Sequence, residues 1–184
     1  MAHQATAGTH VELLNRRLLK RPELAALIGV IASQWAELES DLTFLYATLL
    51  GKYLPHIQED GPPTHPIGFQ IFDALENLHK RTQLIERLAE ELIVNEDLVK
   101  ELKDVLLPLI KNAGRRRNDL IHAYWGTNDN YPDALIRISV SEPWMIYKAS
   151  DFNEAIDLII RSSNAITDFE VKVKEFLKGT EQPY

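Results

Sequence analysis

The chain has 184 residues, of which 45% are hydrophobic and 26% are charged, and this composition is typical of a globular protein rather than a disordered or collagen-like chain. Its formal net charge is -7, so a negatively charged partner would have to bind at a local basic patch. The sequence contains no cysteine, which excludes disulfide bonds, thiolate zinc sites and cysteine nucleophiles. The longest apolar run is far shorter than the ~20 residues of a membrane helix, and the N-terminus has no signal-peptide pattern. We therefore expect a cytoplasmic protein that makes no membrane contact.

Two long helices are predicted in the first half of the chain. Apolar residues from Leu24 to Leu49 recur at alternating spacings of three and four, which predicts a helix with Trp35 in its buried seam and an end at Gly51. The proline-rich residues 52–66 predict a loop. A second helix is expected over 67–92, and a short helix before the first one, over 11–20.

The second half of the chain combines helices with one short extended segment. A third helix should begin near Glu96, bend or divide at Pro108, and continue through Tyr124 to end by Gly126. Alternating apolar residues then predict a β-hairpin over 134–148. A last long helix should open at Asp151, with Asp151 and Glu154 as a capping pair.

These elements predict a mainly all-α fold. We expect an up-and-down bundle of four to five helices with a short β-hairpin insertion before the last helix, organised as a single domain over 1–184. Residues 1–10 and 179–184 are expected to be flexible tails.

Several common catalytic motifs are missing from the sequence. It has no glycine-rich phosphate loop of the P-loop or dinucleotide type, no G-x-S-x-G nucleophile motif and no S-x-x-K. None of the six histidines forms the i, i+4 pair of a helical zinc site. We therefore predict neither a cofactor nor a bound metal.

Residues 111–126 form a local basic segment in this acidic chain. Lys111, Arg115, Arg116 and Arg117 lie just before a group of polar and aromatic residues that comprises Asn118, Asp119, His122 and Tyr124. The pattern predicts a cationic site beside a titratable imidazole.

The helical spacing places Arg117 on an otherwise apolar stripe, where an arginine should be paired or functional. Asn118 and His122 are i, i+4 neighbours, so the amide is expected to orient the ring. Arg117 and His122 are about 140° apart around a regular helix and should not meet at one ligand within a single chain. A two-fold dimer would bring two copies of each residue into one cleft, and we therefore expect a homodimer.

The segment Arg117-Asn-Asp-Leu-Ile-His122 resembles the Arg-x4-His motif of the HEPN proteins, which are helical bundles. With Tyr124 it becomes Arg-x4-His-x-Tyr, similar to HEPN toxins that are encoded beside a nucleotidyltransferase antitoxin. The resemblance covers roughly Leu24 to Gly126 and the last helix; the hairpin and the length of the chain depart from the compact family form. It implies metal-independent cleavage of RNA, not DNA, and an antitoxin or nucleotidyltransferase partner.

Under this resemblance, Arg117 and His122 are the catalytic residues. His122 would act as base on a ribose 2′-hydroxyl or as acid to the leaving 5′-oxygen, and Arg117 would stabilise charge on the phosphate. Asn118 and Tyr124 would support the site. Arg115, Arg116 and Lys111 would bind the RNA backbone.

Other interpretations of the same residues remain open. Arg117 is alternatively a structural ion-pair partner of Glu39, and Asp119 is expected to pair with Arg115 or Arg116 rather than act as a catalytic acid. Tyr124 and Trp125 are also expected as packing residues. A non-catalytic HEPN-like module that binds RNA, nucleotide or protein is a second hypothesis, and a purely structural helical scaffold is a third.

Overall fold

The structure is a computed structural model that describes residues 2–5, 17–51 and 66–180. The chain divides into two compact units. The first, called here the sheet unit, comprises Met1–Trp35 and Arg115–Ile159. The second, the helical unit, comprises Ala36–Gly114 and Ile160–Tyr184. Residues 52–65 of the loop predicted over 52–66 lie outside the described residues, as does most of the short helix expected over 11–20, although Arg17–Lys20 form a 3-10 turn.

Helix α1 (Pro22–Gly51) has the bounds that its apolar spacing predicts. Most of the predicted seam is buried, as expected for residues that recur every three or four positions on one face. Within the helical unit, its fully buried members are Leu38, Leu42, Leu45 and Leu49.

The second predicted helix is divided into α2 (Pro66–Asp73) and α3 (Leu78–Leu92). Asn77 caps α3, because its side-chain Oδ1 accepts a hydrogen bond from the His79 N–H at 2.8 Å. Arg81 also donates to the Leu75 carbonyl at 2.7 Å, which satisfies a backbone acceptor in the break. The expectation of one continuous helix was wrong because an asparagine side chain competes locally with helical hydrogen bonding.

The third predicted helix begins at the predicted place. Asn95 caps α4 (Glu96–Glu101), and a π-helical segment, Leu102–Leu106, leads directly into α5 (Leu107–Ile121). The disturbance predicted at Pro108 is therefore the π-helical segment that precedes the proline. Proline has no backbone N–H, so it cannot donate the regular helical hydrogen bond to this segment. The helix ends at Ile121, however, and not near Gly126 as expected.

The sheet unit contains a four-stranded antiparallel sheet in the order β1-β4-β3-β2. Its strands are β1 (His3–Gln4), β2 (Tyr124–Gly126), β3 (Ala134–Ile138) and β4 (Met145–Lys148). The predicted hairpin is the β3–β4 pair, in which Ile136 lies opposite Ile146. Residues 3 and 4 were expected in a flexible tail but pair with β4.

Both faces of the sheet carry buried side chains. Ala134, Ile136 and Ile146 form an apolar cluster on one face. On the other face, Trp125 and Tyr147 form an aromatic cluster with Phe152 of α6 (Ala149–Thr180), with ring centroids 5.2 to 6.1 Å apart. The β-hairpin is therefore an integral part of the core of this unit.

In the helical unit, α1 and α6 run in the same direction. Ser163 of α6 donates to Asp41 of α1, and seven residues further along both helices Thr48 of α1 donates to Glu170 of α6. The contacts advance in the same direction along the two helices, so the helices are parallel. The mainly α-helical class, with a short β insertion before the last helix, is confirmed. Among the described residues, no helix is long and apolar enough to span a membrane.

Candidate functional site

Arg117 lies on α5 within the sheet unit, where its guanidinium group is stacked on an aromatic ring. Its Cζ is 5.6 Å from the centroid of the Trp35 ring, and Trp35 is only 6% exposed. A cation over the face of an indole is attracted by the ring quadrupole. Trp35 is thus buried as predicted, and it also forms a rigid support beneath the guanidinium.

Arg117 also contacts His122 and Asn118. Its Nη1 donates to Asn118 Oδ1 at 3.0 Å and lies 3.3 Å from His122 Nε2. The expectation that Arg117 and His122 diverge within one chain was therefore wrong. The angle around a regular helix describes only the directions of the Cα–Cβ bonds. His122 lies beyond the end of α5 at Ile121, and the long side chain of Arg117 reaches its ring. Convergence of the two residues does not require a second subunit.

The contact between Arg117 and His122 constrains the imidazole. A guanidinium group only donates hydrogen bonds, so Nε2 is the acceptor and carries no proton when the bond is made. In the neutral ring the proton then resides on Nδ1. An unprotonated Nε2 is chemically suited to accept a proton from a ligand hydroxyl group.

Asn118 has a different partner from the one expected. Its side chain accepts from Arg117, and its backbone carbonyl accepts from the His122 N–H at 3.1 Å. The side-chain amide therefore orients the guanidinium group, and no contact between this amide and the imidazole is seen among the described residues.

The charge of Arg117 has no ion-pair partner among the described residues. Its Nε atom is buried and forms no hydrogen bond within that part of the chain. Glu39, the alternative partner, instead pairs with Arg81 at 3.6 Å. Glu39 therefore has a partner within the helical unit, and Arg117 places a positive charge beside His122 within the sheet unit.

Asp119 also has an unexpected partner. It lies 3.8 Å from Arg137 of β3, and Arg137 donates to Glu142 at 2.7 Å. The prediction that Asp119 pairs with Arg115 or Arg116 was wrong, because strand β3 places a cation beside the end of α5 that sequence spacing does not reveal.

The other predicted basic residues occupy different surroundings. Arg115 is exposed, and Arg116 is half-buried with its Cζ 5.9 Å from the centroid of the Tyr147 ring. Both belong to the sheet unit with Arg117 and His122, whereas Lys111 is exposed in the helical unit. The sheet unit thus holds three consecutive arginines and the candidate imidazole.

Tyr124 and Trp125 lie on strand β2 and not on a helix. Tyr124 is 50% exposed, while Trp125 is buried and donates from Nε1 to the Leu120 carbonyl at 3.2 Å. The prediction that the third helix continues through Tyr124 was wrong, because burial of Trp125 in the aromatic cluster favours an extended chain. Packing in the core is confirmed for Trp125, whereas Tyr124 is not part of the core.

Trp35 and Arg137 are the site-related residues whose roles the sequence analysis missed. Helical spacing places Trp35 in the core, and strand alternation places Arg137 between apolar residues. Neither pattern indicates that Trp35 lies under Arg117 or that Arg137 pairs with Asp119. Among the described residues, no three histidine or carboxylate side chains are grouped in a way that could hold a metal ion.

Comparisons with known proteins add nothing to this geometry: no family model, curated protein or solved structure matches the chain. The resemblance to HEPN proteins therefore rests on the motif residues alone.

Proposed function

We propose that this chain is a metal-independent, HEPN-type endoribonuclease that acts in the cytoplasm, in toxin–antitoxin, defence or stress biology. The contact of 3.3 Å between Arg117 Nη1 and His122 Nε2 carries this proposal. This contact places a proton acceptor, His122 Nε2, beside a permanently charged guanidinium group. Both groups are needed when a ribose 2′-hydroxyl attacks the adjacent phosphodiester.

The proposed reaction begins at the ribose. His122 Nε2 takes the proton of the 2′-hydroxyl, and the 2′-oxygen forms a bond to phosphorus while the bond from phosphorus to the 5′-oxygen breaks. Arg117 shifts from Nε2 towards the phosphate and stabilises the negative charge that develops there. The products are a 2′,3′-cyclic phosphate and a 5′-hydroxyl end.

The leaving 5′-oxygen needs a proton from a second group. His122 is the one imidazole that contacts Arg117 among the described residues. In the proposed homodimer, a second copy of His122 supplies this acid. The reason for proposing a dimer is thus the need for an acid, since Arg117 and His122 already meet within one chain.

Further residues would bind the substrate and a partner. Arg115 and Arg116 would contact the RNA backbone without reading its sequence, and Lys111 would add a further cation. The ring of Tyr124 is half exposed, which supports the suggestion from the resemblance that a nucleotidyltransferase partner modifies it.

The second candidate is a non-catalytic module that binds RNA through the same residues. Among the described residues a single imidazole contacts Arg117, which favours this module, because a site with a base but no acid would bind a phosphodiester without completing cleavage.

A cleavage assay in EDTA distinguishes these functions. We expect the wild-type chain to cleave a mixed-sequence RNA, to leave cyclic phosphate ends and to spare DNA of the same sequence, which lacks the 2′-hydroxyl. His122→Ala should lower the cleavage rate by about 10² to 10⁴. Arg117→Ala should lower it by about 10² to 10³.

Matched controls for the assay lie outside the site. His79→Ala and Arg87→Ala remove one exposed imidazole and one exposed guanidinium in α3, and both should retain the wild-type rate. RNA that is bound but uncleaved by a folded wild-type chain would favour the binding module. Cleavage of the DNA would refute 2′-hydroxyl attack.

A further inference from the structure

A cavity in the sheet unit lies among residues other than Arg117 and His122. Its volume is about 400 Å³, within the range of roughly 300 to 1,000 Å³ that small-molecule sites occupy. Three segments line it: residues 20–24 before and within the first turn of α1, residues 132–133 before β3, and residues 148–150 at the end of β4 and the start of α6.

The cavity concentrates positive charge in an acidic chain. Lys20, Arg21 and Lys148 line it, together with the carboxylates of Glu23 and Asp133. These five side chains sum to one net positive charge, whereas the whole chain carries -7. The cavity is therefore a local site where an anion is favoured over a cation.

Arg21 is held in place by the backbone around it. Its Nη1 donates to the Lys20 carbonyl at 3.0 Å and its Nη2 to the Asn128 carbonyl at 3.4 Å. These acceptors are neutral, so they orient the guanidinium group without cancelling its charge. Its Nε is buried and has no hydrogen-bond partner among the described residues.

Lys148 and Asp133 form an ion pair within the lining of the cavity. Their Nζ and Oδ2 atoms are 2.8 Å apart, and the side chains are 46% and 61% exposed. The hydrogen bond from Lys148 lowers the pKa of Asp133, and the positive charge of Arg21 lowers it further. A pair this exposed contributes little net stability, so a more highly charged anion can displace the carboxylate from Lys148.

The apolar part of the lining suggests the size of the ligand. Pro22, Leu24, Pro132 and Ala149 add uncharged surface beside the cations. A cavity with one cationic side and apolar walls fits a molecule that combines a charged group with a ring or short carbon skeleton.

We propose that this cavity binds a phosphate monoester, either of a free nucleotide-sized molecule or at the 5′ end of an RNA. Lys148 and Arg21 provide the charge opposite the phosphate, and Lys20 adds to it. Asp133 acts as an internal competitor that occupies Lys148 while the cavity is empty. The proposal does not depend on nuclease activity at His122.

Titration calorimetry with the full chain tests this site. We expect AMP to bind more tightly than inorganic phosphate, and adenosine, which has no phosphate, not to bind. Lys148→Gln should weaken AMP binding at least fivefold. Asp133→Asn should strengthen it about threefold or more, because it removes a like charge and releases Lys148 from its ion pair.

The opposite signs of these two effects separate the proposal from misfolding, which would weaken binding in both variants. Lys80→Gln removes an exposed lysine in α3 and should leave AMP binding unchanged. A 5′-phosphorylated RNA compared with its 5′-hydroxyl form shows whether the monoester is carried by RNA. Failure of the wild-type chain to bind any phosphate monoester would refute the proposal, as would equal affinities of the Lys148→Gln and Lys80→Gln variants.

Discussion

Replacing Trp125 by phenylalanine tests how the end of α5 is joined to the sheet. Trp125 is 4% exposed, and its Nε1 donates to the Leu120 carbonyl at 3.2 Å. The last carbonyl groups of a helix have no intrahelical donor, so this side chain satisfies an acceptor that would otherwise have no partner. His122 lies between Leu120 and Trp125 in the sequence. The hydrogen bond that joins these two residues therefore also fixes the path of the chain that carries the candidate imidazole.

The expected loss of stability follows from two terms. Leaving the buried Leu120 carbonyl without a donor costs about 1 to 3 kcal/mol. Shrinking an indole to a phenyl ring removes buried atoms that pack against Tyr147 and Phe152, at a further cost of about 1 kcal/mol. We expect Trp125→Phe to lower the free energy of unfolding by about 2 to 4 kcal/mol.

Trp144 provides a matched control in the same unit. It also donates to the carbonyl five residues before it, Ser139, at 3.2 Å, but it is only partly buried. Water can replace the lost donor there, so Trp144→Phe should cost about 1 kcal/mol. The two variants delete the same chemical group and differ mainly in its burial.

Urea unfolding followed by circular dichroism at 222 nm measures both effects without relying on tryptophan fluorescence. If the free energy of unfolding falls with urea concentration at the same slope in the variants as in the wild type, differences between their midpoints can be converted into differences in free energy. Equal losses in the two variants, or a loss below about 0.5 kcal/mol for Trp125→Phe, would contradict the assignment of a buried, structurally required hydrogen bond.

Two further predictions concern the helical unit. Burial raises the pKa of Asp41, which accepts a hydrogen bond from Ser163, so the folded state favours its protonated form. Stability from Asp41 is then present below its ordinary pKa of 3.8 and is lost as pH rises through the raised value, and Asp41→Asn should be at least as stable as wild type at pH 7. Thermal unfolding of Asp41→Asn and the wild type from pH 3 to pH 7 checks this prediction. A variant that is less stable than the wild type only at pH 7 would contradict the expected effect of ionised Asp41 on stability. Arg81 is 13% exposed and donates to the carbonyls of Leu75 and Asp73, so Arg81→Ala should cost about 2 kcal/mol in urea unfolding. A cost no larger than that of the exposed Arg87→Ala, about 0.5 kcal/mol or less, would contradict a bridging role.

Periodic patterns in the sequence predicted much of the fold. The three-and-four spacing from Leu24 to Leu49 gives α1 its bounds, and alternating residues give the β3–β4 hairpin. Such patterns are informative because each reports burial of one face of one element. The break between α2 and α3 was missed because it depends on a single side chain, Asn77, whose capping bond is weaker than the apolar periodicity around it.

The candidate site was predicted in its residues but not in its geometry. The sequence identified Arg117, Asn118 and His122 as a group and also placed Trp35 in the core. It could not indicate that the guanidinium group lies over Trp35 or that it reaches His122, because one contact joins residues more than 80 positions apart and the other depends on where α5 ends.

The sequence by itself determined the mainly helical class, the acidic charge with its basic segment, and the residue types available for chemistry. Only the tertiary structure decided which groups meet. Tyr124 was assigned to a helix by spacing, yet burial of its neighbour Trp125 against Tyr147 and Phe152 extends the chain into β2. Local propensity differs between helix and strand by less than about 1 kcal/mol per residue, whereas burying one large aromatic side chain contributes about 1.5 to 3 kcal/mol, so long-range packing prevails.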